Sequence, residues 1–239
     1  FTARLCDLLA ATGRPIPVAF ASSIQAERDN PYGASKRAAE DHLRGYADAS
    51  GAAVGLYRFA NVFGKWSRPD YNSAVATFCH NIARGLPIRI DNPSAEVRLV
   101  YIDDVVAELL HFLRDPGQGA RLLEAAPVHT TTVGELARQI EAFGDVRNSL
   151  VTERVGTGLV RALYATYVSF LPPQAFSYGV PKYGDARGVF VEMLKTPDCG
   201  QFSFFTAKPG ITRGGHYHHT KPEKFLVIKG QARFKFRHM

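Results

Sequence analysis

Of the three rarest side chains this chain of 239 residues holds little: three cysteines, two methionines and one tryptophan. Cys6, Cys79 and Cys199 are odd in number, far apart and form no C-x-x-C pair. That spacing excludes a disulfide scaffold and predicts reduced thiols in a cytoplasmic protein. No apolar run reaches the ~20 residues of a membrane span. The nearest candidate, Leu159 to Leu171, is interrupted by Arg161 and reads as an amphipathic helix. There is no internal repeat and no low-complexity tract. A start methionine is also missing, so the natural N-terminus and any targeting signal on it stay open.

What is present is ordinary for a globular protein: 46% hydrophobic and 21% charged residues, enough chain for one or two domains with a real core. The net charge of +7 raises the question of nucleic acid. The basic residues are spread out, however, and the densest cluster, Lys221 to Arg237, alternates with apolar residues as a strand does. A groove for a doubly negative small molecule explains the excess equally well. The expected partner is therefore a small molecule, with neither nucleic acid nor membrane.

Residues 1–115 alternate helix-like and strand-like segments, the pattern of a layered α/β domain. The periodicity predicts helices over Phe1–Ala11, Pro31–Ser50, Tyr71–Arg84, Asp103–Arg114, Val133–Phe143 and Leu159–Phe170. Strands are expected at Pro17–Ala21, Ala53–Phe59, Ile88–Ile90 and Arg98–Ile102. Asn30-Pro31 supplies an N-cap and a first-turn proline for the second helix, and Gly51 stops it. From Leu171 to Gly188 periodicity is lost among prolines, glycines and tyrosines, which places a domain boundary there, dividing 1–170 from 171–239. Beyond it the texture is all-β, with strands expected at Val189–Leu194, Gln201–Ala207, Phe225–Lys229 and Ala232–Arg237.

Two groups of residues carry chemistry. Tyr32 and Lys36 lie at i and i+4 on one helix face. A phenol with a pKa near ~10 can act as an acid–base catalyst when a nearby ammonium lowers that value. The spacing alone is weak, since Tyr178/Lys182 and Tyr217/Lys221 share it, but only Tyr32 opens a capped helix just after a strand ending in Ser22-Ser23. Ser23 can add a hydroxyl bond to a substrate carbonyl. In the second group, His216 and His218 alternate onto one side of an expected strand, and a turn at Thr220–Pro222 returns Glu223 beside them. Two imidazoles and a carboxylate form three-quarters of a site for zinc or another divalent metal. A His-rich surface turn is the alternative.

Four blocks in order resemble the extended short-chain dehydrogenase/reductases that act on nucleotide sugars: Pro17-Val-Ala-Phe-Ala-Ser-Ser23, Pro31-Tyr-Gly-Ala-Ser-Lys36, Tyr57-Arg-Phe-Ala-Asn-Val-Phe-Gly64 and Arg98-Leu-Val-Tyr-Ile-Asp-Asp-Val105. The resemblance implies Tyr32 as general acid, Lys36 on the nicotinamide ribose, and Ser23 orienting the carbonyl. It places Tyr32, Lys36 and Phe59 at the cofactor, NADPH or NADH, and Asn61 and Arg98 on the nucleotide diphosphate. An arginine suits a diphosphate because its planar fork bonds oxygens in pairs; a solubilising charge on a strand is the alternative for Arg98. This family's glycine-rich first βα turn, G-x-x-G-x-x-G, is absent. The expectation is an internal piece whose first nucleotide-binding half lies upstream of residue 1, inactive by itself.

The C-terminal run Asp185-Ala-Arg-Gly-Val-Phe-Val-Glu192, followed by Pro209-Gly-Ile-Thr-Arg-Gly-Gly-His216-Tyr-His218, resembles cupin sugar epimerases. In that likeness His216 is the base that removes a proton beside a ketone, so it is claimed both as ligand and as base. Lys224 is either a partner for the resulting enolate or a solvated lysine, and His219 falls on the opposite strand face. The fold class expected is α/β: the C-terminal part of a Rossmann-type reductase followed by an incomplete all-β jelly-roll. Reductase plus cupin resembles the bifunctional enzymes of capsular polysaccharide synthesis. That implies C3 epimerisation, then C4-keto reduction, of a UDP-2-acetamido-2,6-dideoxy-4-hexulose toward UDP-N-acetyl-L-fucosamine, by a homodimer. The competing expectation is a non-catalytic sugar-nucleotide-binding or scaffold protein with a cupin dimerisation module.

Overall fold

A computed structural model of the chain describes residues 1–236. The first sheet is parallel, ordered β1 (Val18–Ser23), β2 (Val54–Phe59) and β5 (Ala120–Leu123). Helix α1 (Thr2–Ala11) precedes β1, and α2 (Pro31–Ser50) connects β1 to β2. Asn30 accepts a bond from the Gly33 N–H at 2.7 Å, and Gly51, with φ 72°, ends α2 in the left-handed region where a side chain is disfavoured. β2 is the central strand, buried except at Arg58. That explains its run of apolar residues.

A second three-stranded sheet joins β3 (Asn61–Phe63) in parallel to β4 (Glu96–Tyr101), and β4 antiparallel to β6 (Val128–Thr132). Around it pack α3 (Ala74–Ile82), α5 (Val133–Ser149) and α6 (Gly158–Phe170), sharing a core of Phe63, Phe78, Leu136, Ile140, Phe143 and Leu163. Helix α4 (Ile102–Arg114) instead buries Val105 and Phe112 beside Tyr57 of β2. The third sheet is antiparallel: β7 (Lys182–Asp185), β8 (Gly188–Lys195) and β9 (Gln201–Phe205). It is tied to the preceding chain where Lys195 exchanges backbone bonds with Leu150 and Thr152 at 2.8 Å each.

The helices fall near where periodicity and caps place them, with two differences: α3 begins at Ala74 rather than Tyr71, because Ser73 takes the capping role, and α5 runs on past Phe143 to Ser149. Three expectations fail. Ile88–Ile90 is not a strand; its isoleucines pack against the second core without a ladder. The short strands β3, β5, β6 and β7 are unanticipated: β5 has no β-branched residue, and β6, though rich in threonine, runs straight into α5. Most consequentially, neither Phe225–Lys229 nor Ala232–Phe236 forms a strand, and Arg237 lies outside the described residues. A strand needs a partner for its backbone groups, and among the described residues none is aligned with these. The Arg213–Phe236 segment is therefore irregular rather than paired strands.

Candidate functional site

The first group assembles where β1 ends and α2 begins. Tyr32 sits in the first turn of α2 with half its surface exposed. One turn on, the Lys36 ammonium donates to the Ala21 carbonyl at 3.0 Å. It lies 5.2 Å from the Phe20 ring centre and 5.7 Å from that of Tyr32. The cation thus stands beside the phenol ring. Ser23, two residues beyond Ala21, is the last residue of β1; its Oγ accepts from the Gln25 N–H at 3.2 Å and so caps the short 3-10 turn Ile24–Glu27. That cap fixes the hydroxyl at the strand end while leaving its proton for another acceptor. Lys36 thus fastens the first turns of α2, which carry Tyr32, to the strand that ends in Ser23.

Two supports of this arrangement escaped the sequence reading. Gly33 lets the first turn of α2 touch the preceding turn: a Cβ there would collide with the carbonyl oxygens of Gln25 and Arg28. Behind the strand end lies a buried polar network. Ser22 Oγ donates to Glu40 Oε1 at 2.5 Å, and Arg58 donates to Glu40 through Nε (2.9 Å, Oε1) and Nη2 (2.7 Å, Oε2). Arg58 also reaches Glu27 at 3.0 Å. Burial by itself raises the Glu40 carboxyl, but the bonds from Arg58 and Ser22 and the guanidinium charge outweigh it, and the net shift is downward. The available signal was a lone arginine inside an apolar strand, which calls for a buried anion.

On the second sheet, Asn61 Nδ2 donates to the Arg98 carbonyl at 3.0 Å, across the parallel β3–β4 pair. Asn61 and Arg98 are both exposed, and the guanidinium meets no carboxylate within salt-bridge distance among the described residues. Phe59 is different. Its ring is buried and stacked on Tyr57 at 5.4 Å, so a bound molecule would meet its backbone and not its side chain.

In the C-terminal part the β7–β8 turn is locked by Arg187, which bonds Asp185 through Nε (2.9 Å) and Nη2 (2.6 Å). Those bonds hold the Asp185 carboxyl down at about 2. His216, His218 and Glu223 do converge, although no strand carries them: their nearest ligand atoms all lie within 4.8 Å of one another. The correction is to the means, since left-handed Gly214 and Gly215 bend the chain instead. His218 Nε2 stands 3.3 Å from Glu223 Oε1, close to the ~3.3–3.4 Å edge of a tetrahedron with ~2.0–2.1 Å zinc bonds. The donor set fits a divalent metal. It is exposed, though, and the Lys221 ammonium already holds Glu223 Oε1 at 3.2 Å. That bond is the first cause of the lowered Glu223 carboxyl. His219 pairs with the Tyr217 ring at 5.1 Å and takes no part, and Lys224 is exposed.

Comparison with known proteins bears on both parts. Residues 10–123 match the NAD dependent epimerase/dehydratase family, and residues 183–239 match the polysaccharide biosynthesis C-terminal domain. The chain is 60% identical over 238 residues to the UDP-2-acetamido-2,6-beta-L-arabino-hexul-4-ose reductase of Pseudomonas aeruginosa; the match takes in 100% of this chain and 64% of that protein. Its fold matches the crystal structure of the capsular polysaccharide assembling protein CapF from Staphylococcus aureus with a TM-score of 0.84 and 39% identity, over 92% of this chain and 60% of that one. A UDP-glucose 4-epimerase from Thermus thermophilus in complex with NAD shares the fold at 18% identity and a TM-score of 0.57, over 71% of this chain and 68% of that one. The chain thus spans somewhat under two thirds of the length of the Pseudomonas reductase and of the CapF chain.

Proposed function

From a chain whose residues 10–123 match the NAD dependent epimerase/dehydratase family and whose residues 183–239 match the polysaccharide biosynthesis C-terminal domain, we propose a nucleotide-sugar enzyme with two active pockets. It epimerises C3 and then reduces the C4 ketone of a UDP-2-acetamido-2,6-dideoxy-4-hexulose, toward UDP-N-acetyl-L-fucosamine for a surface polysaccharide. The observation carrying this reading is the grouping of Ser23, Tyr32 and Lys36 at the end of β1. A pure binding protein has no use for a phenol held beside an ammonium. The 60% identity to a hexul-4-ose reductase supports the substrate class. We place the division between the pockets at 170/171, where α6 ends.

A reduced nicotinamide, NADPH in our reading, supplies the hydride when bound. Lys36 and Tyr32 would hold its ribose. Ser23 donates to the C4 carbonyl and orients it. The Tyr32 phenol gives its proton to the oxygen that becomes the C4 hydroxyl, and the adjacent ammonium stabilises the phenolate left behind. Asn61 and Arg98 would hold the UDP diphosphate. In the second pocket His216 takes the proton from C3, which the neighbouring ketone acidifies, and a proton returns on the opposite face. His218 and Glu223 would hold a divalent cation such as zinc, which would stabilise negative charge on the C4 oxygen; His216 is its third ligand only in place of serving as the base, because a metal-bound neutral imidazole has no free lone pair. Both steps need the same ketone, which explains joining the two pockets in one polypeptide. The test is to offer the intact protein a UDP-linked 4-keto-6-deoxy-hexosamine. Oxidation of NADPH with formation of a C4 hydroxyl is the expected result; binding without turnover would leave only a scaffold.

A further inference from the structure

The Ser22–Glu40–Arg58 network stands directly behind the reductive site, and stability alone does not call for it. Glu40 and Ser22 retain only 2% and 6% of their surface, so a carboxylate is held out of water beside a guanidinium. Desolvating such a pair costs several kcal/mol, and apolar residues of similar volume often fold as well or better. What apolar residues cannot supply is direction. The Arg58 fork fixes the plane of the carboxylate, and Ser22 takes a further bond on Oε1.

Its anchor points are those of the active site. Ser22 lies between Ala21, whose carbonyl receives Lys36, and Ser23. Ser22 is also the register partner of Arg58 across β1 and β2. Glu40 follows Lys36 by four residues, one turn along the same face of α2. Fixing Glu40 to the sheet therefore fixes both the rotation and the height of α2 where Lys36 meets Ala21. We propose that Glu40 is a positioning residue for the reductive step: tied to Ser22 and Arg58, it sets Lys36 and Tyr32 against Ser23. The proposal rests on the reductase reading and extends it to the support behind the site.

The test uses Glu40→Gln, which keeps the shape and loses the charge, and Ser22→Ala, which removes one bond and keeps the ion pair. In the intact protein, kcat and KM for the 4-keto sugar nucleotide are measured beside the melting temperature. The lysines are also reductively methylated with 13C, and the Lys36 signal is assigned with Lys36→Arg. In the parent, the Phe20 and Tyr32 rings displace that signal from those of exposed lysines. Folded Glu40→Gln should bring it toward them, with kcat down about 10–100-fold, the cost of a misplacement of about 1 Å, and KM within about twofold. Ser22→Ala should fall between, and it decides the matter if Glu40→Gln does not fold. An unmoved Lys36 signal overturns the proposal, as does undiminished kcat or a rise in KM alone. If the parent reduces no keto sugar, the reductase reading fails instead, and the methyl signal still decides whether Glu40 positions Lys36.

Discussion

The ammonium of Lys36 donates to the carbonyl of Ala21 at 3.0 Å, fastening the first turns of α2 to the end of β1. Because Tyr32 is one turn ahead on the same helix face, this bond also fixes the cation's place against the phenol. Lys36→Met removes the charge and the bond while keeping the stem. In the intact protein the rate of ketone reduction should fall at least ~100-fold at neutral pH. Lys36→Arg, which keeps the charge, should recover part of that loss. An undiminished rate in Lys36→Met would remove Lys36 from the mechanism.

Gly33→Ala is predicted to be disproportionately damaging for one added methyl group. The new Cβ meets two backbone carbonyl oxygens, which cannot swing aside. Overpacking of this kind costs about 1–3 kcal/mol or more, and a lowered thermal midpoint together with loss of reduction would register it. The neighbouring helix glycine, Gly45, has open space around its Cβ position. Gly45→Ala should leave the midpoint unchanged or raise it, since alanine is the better helix former by ~1 kcal/mol.

Tyr57 gives a prediction in alkali. Burial, followed by the charge of Glu108 and the bond to it, pushes this phenol up to about 12. A folded-state pKa above the unfolded value contributes stability that is complete below about pH 10 and lost as pH rises through about 12. Ultraviolet titration should find the exposed tyrosines ionising first, Tyr57 last and together with unfolding. Tyr57→Phe should flatten the fall of stability across that window.

Thiol chemistry distinguishes the three cysteines. Cys6 and Cys79 are buried, and burial raises both thiols; Cys199 is exposed. Of these three cysteines, a maleimide reagent should modify only Cys199 in the native protein and all three after denaturation. Rapid native labelling at Cys79 would contradict the packing of α3 against α5 and α6.

Much of this was legible in the sequence where the signal is local. The N-cap and first-turn proline at Asn30-Pro31 and the stop at Gly51 define α2 without reference to anything distant, and α2 carries Tyr32 and Lys36. Signals that depend on a partner were less readable. Phe59 lies in the motif that implied a cofactor contact, yet its ring is spent on Tyr57, a choice made by the strand's burial and not by its spelling. Glu40 reads as a polar helix residue until Arg58 and Ser22 come from two strands to meet it. At the C-terminus the apolar, β-branched run Phe225–Lys229 has the composition of a strand, but pairing is a tertiary property, and the segment stays irregular. His216, His218 and Glu223 meet nonetheless, because short loops bent at glycine can gather side chains that were expected along a strand.

The central claim is that two separate pockets work on one ketone. The most direct measurement follows NADPH oxidation and deuterium uptake at C3 in parallel for Tyr32→Phe and His216→Ala of the intact protein, with the 4-keto sugar nucleotide in deuterated water. The account predicts that Tyr32→Phe loses about 10²–10⁴-fold in reduction with C3 exchange retained, whereas His216→Ala loses exchange and still reduces substrate already epimerised. Equal loss of both activities in either variant would contradict it.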